Sequence, residues 1–150
     1  MTTTVSLADL ESLVGVDLEP SDWLTIHQDR IDTFADATDD HQWIHCDPER
    51  AKDGPFGRPI AHGYLTLALV VPLFAGMLDV SDASTVVNYG LDKVRFPSPV
   101  PEGSRIRLVA TVVEVSAVAG GKQLTFDAAV EADGAPKPAC IARPVFRFYA

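Results

Sequence analysis

The stretch Phe34-Ala-Asp-Ala-Thr-Asp-Asp40-His-Gln-Trp-Ile-His45-Cys-Asp-Pro-Glu-Arg-Ala51 decides how the rest of the chain is read. It sets a carboxylate, Asp40, five residues ahead of an imidazole, His45. On a regular helix that offset separates two side chains by roughly 140°, and on a strand it sends them to opposite faces. For the two to act together, the backbone between them must be irregular and held in shape by the rest of the fold. Loops fixed on a rigid scaffold are where catalytic side chains concentrate.

Downstream, Asp47-Pro48 is a helix start, with Asp as N-cap and Pro at the first helical position, and the short helix ends by Gly54. Gly54-Pro-Phe-Gly-Arg-Pro59 is a loop. A near-uniformly apolar helix follows, about Ala61 to Leu78, and a helix apolar on all sides must be wrapped by something. The second half of the chain supplies the wrapper. Strands are predicted over Val86–Tyr89, Lys93–Phe96, Arg105–Val115, Gln123–Glu131 and Lys137–Tyr149, with turns at Ala119–Lys122 and Asp133-Gly134. Upstream, Ser6 and Asp9 resemble a capping box before Leu7, Leu10, Leu13 and Val14, and Gly15 is a stop. Trp23–Ile26 reads as a short strand. Ile31, Phe34 and Ala35 give one face of a helix that ends near Thr38, with His27 at its start. Long antiparallel strands around one buried helix make an α+β domain spanning residues 1–150.

Composition narrows the function. The apolar fraction, 47%, is that of an ordinary globular domain. The formal charge of −9 argues against a nucleic-acid partner, whose binding needs a basic face. The longest apolar stretch is broken by His62, Gly63, Thr66, Pro72 and Gly76, so no membrane span is expected. The N-terminus has no basic region followed by an apolar run, and Cys46 and Cys140 make no disulfide framework; a cytoplasmic protein is expected. The cluster Asp39, Asp40, His41, His45 and Cys46 matches no usual zinc spacing, and no metal is expected.

The stretch from Phe34 to Ala51 resembles the hydratase-2 signature of the MaoC-like dehydratases, the (R)-specific enoyl-CoA hydratases, with Phe34, Thr38, Asp40, Ile44, His45 and Ala51 in register. Ile60-Ala-His-Gly63-Tyr-Leu-Thr66-Leu resembles the family's Ala-His-Gly entry to its central helix. Asn88–Pro97 with Pro101-x-Gly103 resembles the strand that follows. The resemblance implies a hot-dog fold, a long helix wrapped by a curved antiparallel sheet, and pairing as a homodimer. It implies hydration of a trans-2-enoyl-CoA, with coenzyme A part of the substrate and no separate cofactor. Asp40 and His45 would share the acid–base work, and the Gly63 N–H would receive the thioester oxygen, since helix N-termini present free donors. Gln42, Trp43, His62 and Tyr64 are candidates for lining the substrate. Lys52, Arg58, Lys93, Arg95, Arg105 and Arg107 are candidates for the phosphates of coenzyme A.

The chain departs from the signature where the family has Gly-Asp-x-Asn-Pro. Asp39 replaces the Gly, which permits a positive φ that Asp adopts only at some cost. Gln42-Trp43 replaces Asn-Pro, wording that resembles the nodulation-protein-N-like branch. Two rival readings stand beside the hydratase: a thioesterase on the same fold, and a non-catalytic acyl-thioester-binding protein. Bland roles are open too. Gly63 could only ease a close backbone approach, His62 could only bond a loop carbonyl, Trp43 and Tyr64 could only pack, and Asp39 could only hold a strained loop.

Overall fold

A computed structural model describes residues 1–150. Three long strands pair in sequence as an antiparallel meander: β5 (Arg105–Val118), β6 (Gly121–Ala132) and β7 (Cys140–Tyr149). The β5–β6 turn works because Gly120 takes φ 79°, a conformation open to glycine at no steric cost. Two more strands flank the meander, β2 (Leu24–Thr25) on β5 and β4 (Thr85–Arg95) on β7, giving the sheet order β2-β5-β6-β7-β4. Register shifts between Val112 and Glu114 and at two points in β4 bend the sheet, as bulges do.

The central helix α4 (Gly63–Ala75) lies against the concave face of the sheet. Its Leu65, Leu69, Val70 and Phe74 meet Ile106, Leu108, Val112, Leu124, Phe126 and Phe146 in one buried cluster. Phe74 stacks on Phe126 at 3.9 Å between centroids and meets Phe146 edge-on at 5.6 Å. Removing the Phe74 ring would destabilise the fold by about 3–5 kcal/mol. The architecture is the expected hot dog.

Several boundaries differ from the sequence reading. The helix is shorter than Ala61 to Leu78. Ile60 and Ala61 are extended instead: Ile60 donates to Ile44, and Ala61 donates to Val100. Beyond Gly76, residues Leu78–Val80 leave the helix as β3 and pair in parallel with β1 (Thr3–Val5), a pairing between distant segments that local pattern cannot reveal. The sheet wraps one side only. Tyr64, Ala68, Val71 and Ala75 face outward from α4, with Tyr64 74% exposed. The two strand segments at Val86–Tyr89 and Lys93–Phe96 are one strand, continuous through bulges. The last strand starts at Cys140, because Pro136 and Pro138 have no N–H for a ladder. Ser6 and Asp9 do bond reciprocally, yet the segment forms only a 3-10 turn, Leu10–Leu13, before Gly15 at φ 81°.

Candidate active site

Three short elements carry the Asp40–His45 segment: α1 (Gln28–Thr38), α2 (Trp43–Cys46) and α3 (Pro48–Ala51). His27 caps the start of α1. Asp39 ends it in the left-handed region at φ 62°, ψ 18°, the only non-glycine residue with positive φ. The chain then turns through Asp40, His41 and Gln42 before one turn of α2. This is the irregular backbone that the spacing of Asp40 and His45 requires. Asp47 caps α3, its carboxylate accepting from the Arg50 N–H at 3.1 Å.

The turn puts three functional side chains together. Ligand-type atoms of Asp40, His45 and His62 all lie within 4.8 Å of one another. Asp40 is exposed, whereas His45 and His62 are buried, 7% and 2% exposed. The His45 and His62 rings stack at 3.9 Å, and Phe34 tilts against His62 at 4.9 Å. His45 Nδ1 lies 2.7 Å from the Ile60 carbonyl. A carbonyl only accepts, so Nδ1 carries the proton and Nε2 keeps its lone pair. Burial, chiefly, holds the His45 pKa below the usual histidine value, with His62 adding to the effect. At neutral pH this imidazole is an uncharged base.

Two side chains fix the backbone of the pair. His62, at the N-cap of α4, donates from Nε2 to the main-chain carbonyl of Asp40 at 2.9 Å. Gln28, at the start of α1, donates from Nε2 to the carbonyl of His45 at 2.7 Å and to the Asp32 carboxylate at 2.9 Å. His62 was read as a possible site residue; its bond to a loop carbonyl is the bland alternative realised inside the site. Gln28 carried no signal in the sequence, because a glutamine at a helix start belongs to no motif. His62 Nδ1 and Gln28 Oε1 are the two buried side-chain atoms without a hydrogen-bond partner.

Other candidates fall elsewhere. Gly63 is the first residue of α4, so its N–H has no acceptor within the helix. A Cβ there would sit 3.2 Å from the Phe96 ring, so close approach also favours glycine. Gln42 is exposed, and its side chain makes no hydrogen bond to the site. Trp43 packs on Gly54 and under the Arg50 guanidinium at 4.2 Å. Tyr64 borders a cleft of about 230 Å³ with Leu67, Val71, Leu91 and Phe146. His41 is exposed, 3.8 Å from Asp36. Lys52, Arg105 and Arg107 pair with Glu49, Asp133 and Glu131, and Arg58 donates to the Glu102 carbonyl. Lys93 and Arg95 are the two of the six cationic candidates left without a carboxylate or a distant carbonyl.

The MaoC like domain family matches residues 9–133. The chain belongs to the MaoC-like dehydratase family. It is 50% identical over 151 residues to 3-hydroxyacyl-thioester dehydratase Z of Mycobacterium tuberculosis, covering 100% of both chains. It is 46% identical to Nodulation protein N of Rhizobium leguminosarum bv. viciae, covering 92% of this chain and 88% of that protein. It thus falls in the nodulation-protein-N-like branch. The crystal structure of R-Hydratase PhaJ1 from Pseudomonas aeruginosa superposes with a TM-score of 0.77 at 22% identity, over 97% of this chain and 86% of that one, a likeness of fold.

Against that family background two local features gain meaning. Asp39 takes the left-handed conformation that the glycine of the MaoC-like signature would take freely, so the substitution keeps the turn. The Asp40, His45 and His62 cluster also suits a metal poorly. Imidazole lone pairs lie in the ring planes, and two rings stacked 26° from parallel cannot aim both at one ion.

Proposed function

We propose that this chain is an (R)-specific enoyl-CoA hydratase, a hydro-lyase that reversibly adds water to a trans-2-enoyl-CoA to give the (3R)-hydroxyacyl-CoA. One observation carries the reading: a buried, uncharged His45 with Nε2 free lies beside the Asp40 carboxylate, next to the start of a helix whose first N–H is unused. The substrate class follows the mycobacterial relative, whose name gives a 3-hydroxyacyl thioester.

In this account the Asp40 carboxylate accepts one hydrogen bond from a water molecule and His45 Nε2 removes its other proton. The oxygen forms its bond to C3 while the C2–C3 π electrons move toward the thioester, whose oxygen is held by the Gly63 N–H. The imidazolium returns the proton to C2, so the protein ends unchanged. General acid–base catalysis of this kind contributes about 10²–10⁴-fold, and one donor at a developing oxyanion about 10²–10³-fold. The chemistry calls for no metal or redox cofactor, and coenzyme A enters with the substrate. Cys46 is a poor nucleophile for a thioesterase, because burial and the nearby Asp32, Asp36 and Asp40 push its thiol up.

The working unit in this account is a cytoplasmic homodimer. β4 is an edge strand with Val86, Val87, Tyr89 and Leu91 exposed, beside the outward apolar face of α4. A second copy would cover both. The stereochemical claim is tested by hydrating a trans-2-enoyl-CoA to completion and resolving the product on a chiral column while a thiol reagent follows free coenzyme A. The (3R)-alcohol without thiol release is expected; the (3S)-alcohol or stoichiometric thiol would contradict the reading.

A further inference from the structure

The Ile60–Gly63 segment borders a second space besides the Asp40–His45 pair. A cavity of about 270 Å³ lies between the loop at Phe56, the start of α4 and the loop at Phe96–Val100. Ile60, whose carbonyl holds His45, lines it, as does Gly63. Its walls are apolar at Phe56, Ile60, Phe96, Val100 and Ala139, interrupted by the hydroxyls of Thr66 and Ser98. Thr66 is 3% exposed. The hydroxyls of Thr33 and Thr38 bond back to carbonyls of their own helix at 2.8 and 2.7 Å; that of Thr66 does not, and it is left for whatever fills the cavity.

Resting on the hydratase reading, we propose that this cavity takes the amide-bearing thiol arm of the substrate, the pantetheine chain, and that Thr66 bonds one of its amides. The thioester carbonyl sits between acyl chain and sulfur. With its oxygen on the Gly63 N–H and its C3 turned to Asp40 and His45, its sulfur points away from the pair, and Gly63 is shared with the cavity. An acyl tail there would strip two hydroxyls of water and return no hydrogen bond. An arm of methylenes punctuated by amides matches apolar walls punctuated by hydroxyls.

Thr66→Val keeps the side-chain shape and removes the hydroxyl. Ser98→Leu, on a half-buried loop, narrows the cavity without touching α4. Binding of D-pantetheine to wild type and both variants is followed by saturation-transfer NMR, and kcat and KM are measured with C4 and C8 enoyl-CoA. Thr66→Val is expected to weaken pantetheine about 5- to 10-fold, the worth of one hydrogen bond. It should lower kcat/KM by the same factor for both chain lengths, mainly through KM. The same loss with enoyl-acyl-carrier protein is expected, since it bears the same arm, and the wild-type ratio of the two substrates shows which carrier is used. A penalty that depends on chain length while pantetheine binding is unchanged would assign the cavity to the acyl tail and overturn the proposal. Unchanged binding and kinetics would overturn it too. A wild type that hydrates nothing, yet whose pantetheine binding weakens in Thr66→Val, would refute the hydratase and keep the arm site.

Discussion

The rings of His45 and His62 are stacked with centroids 3.9 Å apart and planes at 26°, one ring free at Nε2 and the other tied through Nε2 to the backbone of Asp40. Both residues of the proposed catalytic pair therefore depend on His62, which touches His45 by its face and Asp40 by its edge. His62 is a positioning residue in this account, and its contacts set both geometry and charge.

The charge consequence is a pH profile. His45 works as a base only when neutral, and burial lowers its pKa. The acid limb of kcat/KM should therefore fall below the usual histidine value of about 6.5, with activity full above that value and lost only as pH drops through the lowered pKa. His62→Gln removes the neighbouring imidazole and should move the limb to higher pH. An acid limb at or above the ordinary value in wild type would contradict a buried neutral base.

The geometric consequence is a pair of variants. His62→Phe keeps the stack and loses the bond to the Asp40 carbonyl; Gln28→Leu loses the bond to the His45 carbonyl. Each should lower kcat about 10- to 100-fold, as small misplacements of reacting groups do, with KM little changed. His62→Gln should recover part of the loss by restoring a donor. Equal effects of His62→Phe and His62→Gln on kcat would show that the Asp40 bond is irrelevant.

Asp39→Gly tests the departure from the family signature. Asp39 sits at φ 62°, a region costing a non-glycine residue roughly 1–2 kcal/mol. Glycine relieves that strain but loosens the unfolded chain by about 0.4–1 kcal/mol. A net stabilisation below about 1 kcal/mol follows, read as a rise in Tm, with activity within about twofold because the turn is already in place. A large gain in activity would show that Asp39 distorts the site.

The apolar surface of β4 and α4 predicts self-association. Val71 and Val87 are 42% exposed each, and a charge at either should open a paired face. Light scattering should give a dimer for wild type and monomer for Val71→Glu or Val87→Glu. A monomeric wild type would contradict the homodimer.

The sequence disclosed the fold where periodicity was strong. The apolar run after His62, the alternation in β5 and β6 and the Asp47-Pro48 cap all read directly. The β1–β3 pairing did not, because three-residue strands joined across the chain leave no local pattern. Of the proposed site, Asp40, His45, His62 and Gly63 were legible through motif register. Gln28 and the Ile60 carbonyl were not, because their roles arise only when α1 and the extended Ile60–Ala61 segment close around α2. The uncovered face of α4 was misread as buried, since an apolar helix looks the same whether its own sheet or a second copy covers it.

The most direct test is loss of enoyl-thioester absorbance with a C4 to C12 trans-2-enoyl-CoA series, run on wild type, Asp40→Asn and His45→Gln. Activity in wild type that falls at least about 10²-fold in both variants, the range for positioned acid–base groups, is the predicted result. A wild type that hydrates no member of the series, or variants that retain its rate, would contradict the account.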